Sequence, residues 1–371
     1  MEKTGREKIK HAVSACVFLI IAGSLFVFFT YLFRTVKDST RLNIAGFYNE
    51  EKNTVDMAMV GSSAVFRFWD PMLAYEESGL ASYDYACASM TPALFRCAVE
   101  EVLSRQDPDL LVIDGRRWIT DRAEGPNERV RFYLDTVDLN WNRFRAVWYY
   151  CRKFHLPFEE SVPLFLDLCL YHNNTEALAN PLNWELADNR YVSPDNYYLK
   201  GYMMKSGVKQ FNRPSDEIVQ STRAGGLGPV TQSQLRDLLS YLSSLDRDVL
   251  FVFTPYVINE EEMQEFNEVE QIAAEYGIPI WNGNRYYDEI GLDFSSDFYD
   301  SRHTNIIGSE KVTKYLLQYI KEHYDLPDHR SCKDRPSYED SLAPYREKEQ
   351  KVYAKAEKKA AKKAAKKKSG D

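Results

Sequence analysis

The chain contains 371 residues, 44% of them hydrophobic and 27% charged, and it carries a formal net charge of −8 at pH 7. This length supplies one large domain or two small ones, with ample material for a core. The acidic balance disfavours nucleic acid as a partner. The six cysteines show no Cys-x-x-Cys spacing and no cluster with histidine, so we expect no structural zinc, no other metal and no cofactor.

The first element in the chain is a long uncharged stretch, residues 12–33. A helix rises about 1.5 Å per residue, so this stretch would span roughly 33 Å and cross the hydrocarbon core of a membrane. A cleaved signal peptide is the alternative, but its apolar run is shorter and ends in small residues. This run ends in Tyr31, Leu32 and Phe33. The sequence therefore predicts an uncleaved transmembrane anchor.

The charges that flank this stretch predict its orientation. Four basic residues precede it, whereas the three that follow closely are accompanied by Asp38. Because basic residues favour the cytoplasmic side, we expect residues 1–11 to be cytoplasmic and the bulk of the chain to be extracytoplasmic. Residues 34–54 are mostly polar and are predicted to form a stalk. The sequence thus predicts a single-pass protein of the cell membrane.

Beyond the stalk, short apolar runs alternate with helical patterns. This alternation predicts an α/β domain over residues 55–330, built on a central parallel sheet. A mostly helical, aromatic insertion interrupts it at about residues 120–230. The predicted strands are 56–60, 81–86, 110–114, 248–254 and 278–281, and the predicted helices are 92–105, 140–154, 162–171, 232–245, 260–276 and 306–323.

The C-terminal residues 331–371 end in a Lys- and Ala-rich run, KAEKKAAKKAAKKKSGD. Such a run forms either a solvated, partly helical tail or an electrostatic tether. The partners of a tether would be anionic lipid headgroups or an anionic cell-surface polymer. Both interpretations remain open from the sequence.

The first candidate chemical group stands where the first predicted strand ends. Gly61 is followed by Ser62 and Ser63. Glycine at a strand end permits a tight turn that can present a hydroxyl group. Ser63 is our candidate nucleophile, and Ser62 is its competitor because the turn can present either side chain. A purely structural turn is the alternative.

The second candidate group precedes the last predicted helix. Asp300 stands three residues before His303, in a polar loop. A carboxylate at this spacing can reach Nδ1 of the imidazole and leave Nε2 for a serine hydroxyl, which needs such a base to become a nucleophile. The alternatives are helix capping for His303 and solvation for Asp300. Metal binding is a further alternative, although one histidine among carboxylates makes a poor zinc site.

Together the two segments resemble the SGNH (GDSL-like) hydrolase superfamily. The strand followed by Gly-Asp-Ser in that family corresponds to Gly61-Ser62-Ser63 here, and its Asp-x-x-His block corresponds to Asp300-Ser301-Arg302-His303. The resemblance implies a three-layer, flavodoxin-like sandwich with a central parallel sheet. It also implies that Ser63 is the nucleophile, His303 the base and Asp300 the acid that orients it.

Two blocks of the family pattern differ in this chain. The oxyanion-hole glycine of the second block corresponds to Ala86, whose backbone N–H group can still donate. The Gly-x-Asn-Asp of the third block is replaced by Asp114-Gly115-Arg116-Arg117. Arg116 or Arg117 is therefore the candidate substitute for the missing donor. The candidate oxyanion or substrate-binding residues are Ser62, Ala86, Arg116 and Asn305.

A narrower resemblance concerns bacterial cell-envelope proteins with a membrane anchor, Gly-Ser-Ser and D-x-x-H-x-N-x-x-G. These include the D-alanyl transfer protein of teichoic-acid modification and alginate-type O-acetylation proteins. The resemblance implies an extracytoplasmic acyltransferase or esterase that transfers an acetyl or D-alanyl group to or from a surface polymer. It also implies a membrane-bound O-acyltransferase as partner. The alternative is a non-catalytic accessory that binds the polymer.

Overall fold

The structure is a computed structural model, and it describes residues 5–33, 41–119, 125–126, 129–172 and 198–368. The segments that were predicted as a cytoplasmic N-terminus, a stalk and a helical insertion each lie partly outside these residues. The first helix, α1, is Gly5–Phe33. Within it, Glu7–Thr30 is long and apolar enough to cross a membrane, and none of its most apolar stretch is buried against the rest of the chain.

A parallel sheet forms the centre of the chain. Its strands are β1 (Met57–Gly61), β2 (Ser82–Ala86), β3 (Leu110–Asp114), β4 (Asp248–Phe253) and β5 (Ile280–Asn282). They are arranged in the order β2-β1-β3-β4-β5, and every neighbouring pair is parallel. This is the strand order of flavodoxin-like doubly wound sheets. The predicted α/β architecture with a central parallel sheet is confirmed.

Every residue of β1, β2 and β3 is buried, so both faces of the sheet are covered. Because these strands are buried on both faces, their sequences are apolar runs, and such runs could be recognised in the sequence.

A small antiparallel pair, β6 (Phe298–Asp300) and β7 (His303–Thr304), precedes the last helix of the α/β domain. The described helices after α1 are α2 (Arg41–Phe47), α3 (Ser63–Phe66), α4 (Pro71–Ser78), α5 (Phe95–Arg105), α6 (Val130–Leu134), α7 (Trp141–Lys153), α8 (Phe158–Phe165), α9 (Leu168–Tyr171), α10 (Asp216–Val219), α11 (Pro229–Leu242), α12 (Glu260–Ala274), α13 (Tyr287–Ile290), α14 (Ile306–His323) and α15 (Pro336–Lys368).

The described part of the predicted stalk is not a stalk. Ile44 and Phe47, three residues apart on α2, are 0% and 1% exposed. The Phe47 ring contacts Tyr83 and Tyr85 of β2, at centroid distances of 5.3 Å and 4.8 Å. Helical spacing places these two apolar side chains on one face, which covers the sheet. The segment therefore belongs to the α/β domain.

The C-terminal segment is also more closely attached to the domain than predicted. Tyr338 and Tyr345, both in α15, are fully buried. The Tyr338 hydroxyl donates to the Ser82 carbonyl at 2.9 Å, and the Tyr345 hydroxyl donates to Asp70 at 3.1 Å. The first half of α15 thus packs on the domain, and the domain extends beyond residue 330. The packing continues into the start of the Lys-rich run, where Ala356 is also fully buried and Lys359 Nζ donates to Ser206 Oγ at 3.1 Å.

The helix predicted over 162–171 is divided into α8 and α9. The division falls at Leu166 and Asp167. The Asp167 carboxylate is buried, and it accepts hydrogen bonds from Arg131 at 2.8 Å and Arg143 at 2.6 Å. These long-range ion pairs hold α6, α7 and α9 together, and local periodicity does not reveal them.

Candidate active site

The turn after β1 holds the two candidate serines. Gly61 ends β1, and Ser62 caps the short helix α3, which begins at Ser63. A Cβ atom at Gly61 would lie 2.3 Å from the Cβ of Asp114, at the end of the neighbouring strand β3. Glycine at this position therefore permits the close approach of the two strand ends.

Asp114 distinguishes the two serines. The Ser62 hydroxyl donates to Asp114 Oδ2 at 2.5 Å, and the Ser62 backbone N–H group donates to the same oxygen at 3.0 Å. Ser62 Oγ also accepts from the N–H group of Ala64 at 3.3 Å. Ser62 is 3% exposed. Its hydroxyl is thus engaged in the turn and in the helix cap.

The neighbouring hydroxyl faces the histidine. Ser63 Oγ lies 2.7 Å from His303 Nε2, although the two residues are 240 positions apart. His303 Nδ1 lies 3.0 Å and 3.1 Å from the two carboxylate oxygens of Asp300. The structure therefore brings Ser63, His303 and Asp300 together in one hydrogen-bonded chain. This is the arrangement in which an imidazole takes the serine proton and a carboxylate orients the imidazole.

The Asp-x-x-His turn has a local explanation. Asp300 and His303 are paired residues where β6 meets β7. The backbone N–H group of Arg302 donates to Asp300 Oδ1 at 2.8 Å and holds the carboxylate inside the turn. The Tyr299 ring stacks on the imidazole with a centroid distance of 5.5 Å and an interplanar angle of 16°. The ring restricts the orientation of His303.

The environment favours the neutral form of His303. Burial lowers the pKa of His303 below 6.5, and the positive charges of Arg116 and Arg67 lower it further. The hydrogen bond and the charge of Asp300 act in the opposite direction without reversing the shift. Nε2 can accept a proton only when the imidazole is neutral, so His303 is ready to act as a base at neutral pH.

Asp300 is held in its ionised form. Partial burial raises the pKa of Asp300, but the hydrogen bond to His303, the charge of His303 and the Arg302 N–H group outweigh burial, so that the pKa lies below 3.8. An ionised carboxylate beside Nδ1 keeps the proton on that nitrogen and stabilises the imidazolium that a proton transfer to Nε2 would produce. Both pKa values are lowered, so at neutral pH Asp300 is ionised and His303 is neutral, which matches their predicted roles.

Arg116 is buried beside the histidine. It follows β3 in the 3-10 turn Gly115–Trp118 and is 4% exposed. Its guanidinium group donates to Thr254 Oγ1 at 3.1 Å and to the Arg302 carbonyl at 2.9 Å, and it lies 4.1 Å from the Tyr256 ring centroid. These contacts hold a positive charge near His303. This charge can stabilise an anion that develops at the site.

The other two candidates have different surroundings. Asn305 caps α14, where its Oδ1 accepts from the N–H groups of Ile307 and Gly308, and its Nδ2 group donates to the carbonyls of Gly207 and Ser296. All these contacts are structural, so Asn305 is a positioning residue. Ala86 is fully buried at the end of β2, where it pairs with Gly61.

Two further residues contribute to the site, and neither was among the predicted site residues. Asp114 binds Ser62, and its position at the end of a predicted strand, one residue before Gly115, was the available signal. Arg67 donates to the Met203 carbonyl at 2.7 Å, and its own carbonyl accepts from Thr304 Oγ1 at 2.8 Å. These contacts tie the helix after Ser63 to the strand that carries His303. No sequence signal indicated this role.

Metal binding has no support within the described ranges. Among those residues, no group of three or more His, Cys, Asp or Glu side chains is placed to hold a metal ion. The expectation that no metal or cofactor takes part stays a prediction.

Comparison with protein-family models, curated proteins and solved structures gave no match. The geometry of the site is therefore the basis on which a function can be proposed.

Proposed function

We propose that this protein is a membrane-anchored, extracytoplasmic serine acyltransferase or esterase of the SGNH type. Its role would be O-acylation, with acetyl or D-alanyl groups, of a cell-surface polysaccharide or teichoic acid. The observation that carries the proposal is the hydrogen-bonded chain from Ser63 through His303 to Asp300. Supporting observations are the parallel sheet order, the serine directly after β1, and the Asp-x-x-His turn directly before α14.

The proposed reaction has two halves. In the first, His303 Nε2 takes the hydroxyl proton of Ser63, Oγ forms an ester with the acyl carbon, and the leaving group departs with the proton from His303. In the second, His303 takes a proton from an acceptor hydroxyl or from water. The resulting oxygen nucleophile attacks the ester, and Ser63 recovers its proton. The positive charge of Arg116 would stabilise the oxyanion of each half-reaction.

The proposed location depends on α1. An apolar helix of this length supports a single membrane anchor, and the flanking basic residues favour a cytoplasmic N-terminus. We infer a membrane-bound O-acyltransferase as the partner that would deliver the acyl group to the site. The Lys-rich end of α15 would hold anionic polymer or lipid headgroups, and nucleic acid is not an expected partner.

One observation favours a second candidate function, a non-catalytic accessory that binds the polymer. The side-chain amide of Asn305 is occupied by structural hydrogen bonds, and the third-block asparagine of the resembled family is replaced by arginine. A site with a weak oxyanion hole could serve binding alone. The experiment below separates the two functions.

The test is covalent labelling of the detergent-solubilised full chain with a serine-reactive fluorophosphonate. We expect the wild type to be labelled at Ser63, and we expect Ser63→Ala and His303→Ala to abolish labelling. The matched control is Ser62→Ala, which removes the adjacent hydroxyl and should keep labelling. A folded wild-type protein that resists the probe would contradict the catalytic proposal and favour the accessory.

A further inference from the structure

Helix α7 exposes three large aromatic side chains in one row. Trp141, Phe144 and Trp148 are 69%, 47% and 52% exposed, and their spacing of three and four residues places them on one face. The rings of Trp141 and Phe144 stack at a centroid distance of 5.2 Å with an interplanar angle of 13°. Tryptophan side chains are normally largely buried in soluble domains, so a row of exposed aromatic side chains on one helix face indicates a contact surface.

The row continues onto α8 and α9. The Phe144 ring lies 5.2 Å from that of Phe165, the last residue of α8. The next exposed apolar side chains are Leu166 and Leu170, at 39% and 48% exposure. We call the aromatic row together with these two leucines the aromatic face, and it consists of Trp141, Phe144, Trp148, Leu166 and Leu170.

One end of the aromatic face adjoins the membrane-crossing candidate. Helix α9, which carries Leu170, packs against α1. In α1, the apolar side chains through Leu25 are exposed, whereas Thr30 and Leu32 in the last turns are buried. The contact with the domain therefore falls where α1 would leave the hydrocarbon core. This contact brings the aromatic face to the level of the membrane surface.

The charged residues around the aromatic face are of both signs, which favours the interfacial layer of a membrane, rather than a purely anionic surface, as its binding partner. The Arg152 guanidinium lies 5.3 Å from the Trp148 ring centroid, and Arg145 is paired with Glu100 at 3.1 Å. Glu159 and Glu160 in the first turn of α8 are exposed and offset the basic residues. Insertion of aromatic side chains, which prefer the boundary between headgroups and acyl chains, would supply the binding energy.

We propose that the aromatic face lies in the interfacial layer of the membrane that α1 crosses, with lipid as its occupant. This inference depends on the proposed membrane anchoring and goes beyond the proposed chemistry. A second contact beside α1 prevents the domain from rotating freely about its anchor. The Ser63–His303 site would then stay at a constant height and orientation above the bilayer, where an acyl group crossing the membrane emerges.

The experiment uses the full chain reconstituted into phosphatidylcholine vesicles, with tryptophan fluorescence as the signal. One set of vesicles contains lipids brominated near the headgroup end of the acyl chains, and a second set receives aqueous iodide. We expect brominated lipid to quench the wild type. In Trp141→Ser/Trp148→Ser the quenched fraction should fall by about half or more, because interfacial tryptophans supply it.

The matched control is Trp118→Phe, which removes a tryptophan that is 1% exposed and should leave quenching by brominated lipid unchanged. The proposal is overturned if the double variant loses quenching by iodide and keeps quenching by brominated lipid. The aromatic face would then lie in water, where it would be available to a protein partner. The proposal is equally overturned if neither quencher reaches the two tryptophans.

The same vesicles separate this inference from the proposals on which it depends. Extraction with alkaline carbonate should leave the wild type in the membrane. Release by carbonate would contradict both the membrane anchor and the aromatic-face contact. Protein that stays in the membrane while Trp141 and Trp148 are not quenched by brominated lipid would contradict only the contact. Phosphonate labelling of Ser63 in the vesicles reports on catalysis independently of both.

Discussion

Ser62 and Asp114 form a 2.5 Å hydrogen bond between the ends of two adjacent parallel strands. In this bond the Ser62 hydroxyl holds the turn after β1. The hydroxyl of the next residue, Ser63, faces the imidazole, with Oγ 2.7 Å from His303 Nε2. Two neighbouring serines thus have separate tasks. One holds the turn, and the other meets the candidate base.

The first prediction concerns this division of tasks. Ser62→Ala removes a helix cap and one hydrogen-bond donor to the buried Asp114 carboxylate, so we expect the free energy of unfolding to fall by about 1–3 kcal/mol. Phosphonate labelling should persist, whereas Ser63→Ala should lose labelling with little change in stability. Thermal melts and labelling of both variants give the measurement. Loss of labelling in Ser62→Ala at an unchanged melting temperature would contradict the assignment.

The second prediction is a pH dependence. The proposed base can accept the Ser63 proton only when His303 is neutral, and the pKa of His303 is lowered by burial and by Arg116 and Arg67. The labelling rate should therefore rise with pH, with its midpoint below 6.5, and be constant above neutrality. In Arg116→Gln the midpoint should move to higher pH because a positive charge is lost. Arg116→Lys keeps the charge and is the control; identical midpoints in all three proteins would contradict the role of the charge.

The third prediction concerns Asp300. Asp300→Asn keeps the shape of the side chain but removes the charge that orients His303 and stabilises its protonated form. We expect the labelling rate to fall by roughly 10³- to 10⁴-fold. The rate midpoint should also move to lower pH, since Asp300 raises the pKa of His303. Asp293→Asn is the matched control, because the Asp293 carboxylate instead binds Ser295 and Ser296. Equal labelling rates in the two variants would exclude Asp300 from the proposed group of Ser63, His303 and Asp300.

The fourth prediction concerns a buried carboxyl group in β2. Asp84 is 0% exposed, and within the described part of the chain neither side-chain oxygen accepts a hydrogen bond. Burial, assisted by the negative charge of Asp70, raises its pKa well above 3.8. In the folded protein Asp84 therefore stays protonated at pH values where it ionises in the unfolded chain.

This difference makes the folded state progressively less stable as the pH rises above 3.8, by at most about 1.4 kcal/mol per pH unit. Asp84→Asn cannot ionise, so its melting temperature relative to the wild type should increase from pH 4 towards pH 8. Melting curves across this range provide the measurement. Parallel profiles for the two proteins would show that Asp84 is ionised in the fold.

The fifth prediction concerns the Lys-rich end of α15. The buried residues of α15, including Tyr338, Tyr345 and Ala356, precede Lys362, so the charge beyond them can be changed without changing the packing. Replacing Lys362, Lys363, Lys366, Lys367 and Lys368 by Gln should weaken binding of inorganic polyphosphate at low salt without changing the melting temperature. Each lysine near an anionic surface contributes about 1 kcal/mol. Unaltered binding would eliminate the tether. Tyr345→Phe, which keeps every charge, is the control.

The sequence predicted the parts of this molecule that local patterns encode. The strand 110–114 and the helix 306–323 were predicted with the bounds that the structure has, because apolar runs and a capped amphipathic helix are visible in consecutive residues. Asp300 and His303 stand three residues apart, and a single turn brings them together. The strand-end turn after Gly61 and the family resemblance both favoured Ser63 over Ser62, and the activity of Ser63 stays a prediction.

The sequence by itself determined the apolar helix α1, the parallel sheet and the local Asp300–His303 pair, because hydrophobic period and short spacing express them directly. Only the tertiary structure decided which serine faces His303, that the Asn305 amide group donates to the Gly207 carbonyl, and that α2 and α15 pack on the domain. Each of these depends on contacts between distant segments, such as the 52 positions between Ser62 and Asp114. Such contacts form when the sheet is assembled, and no local pattern records them.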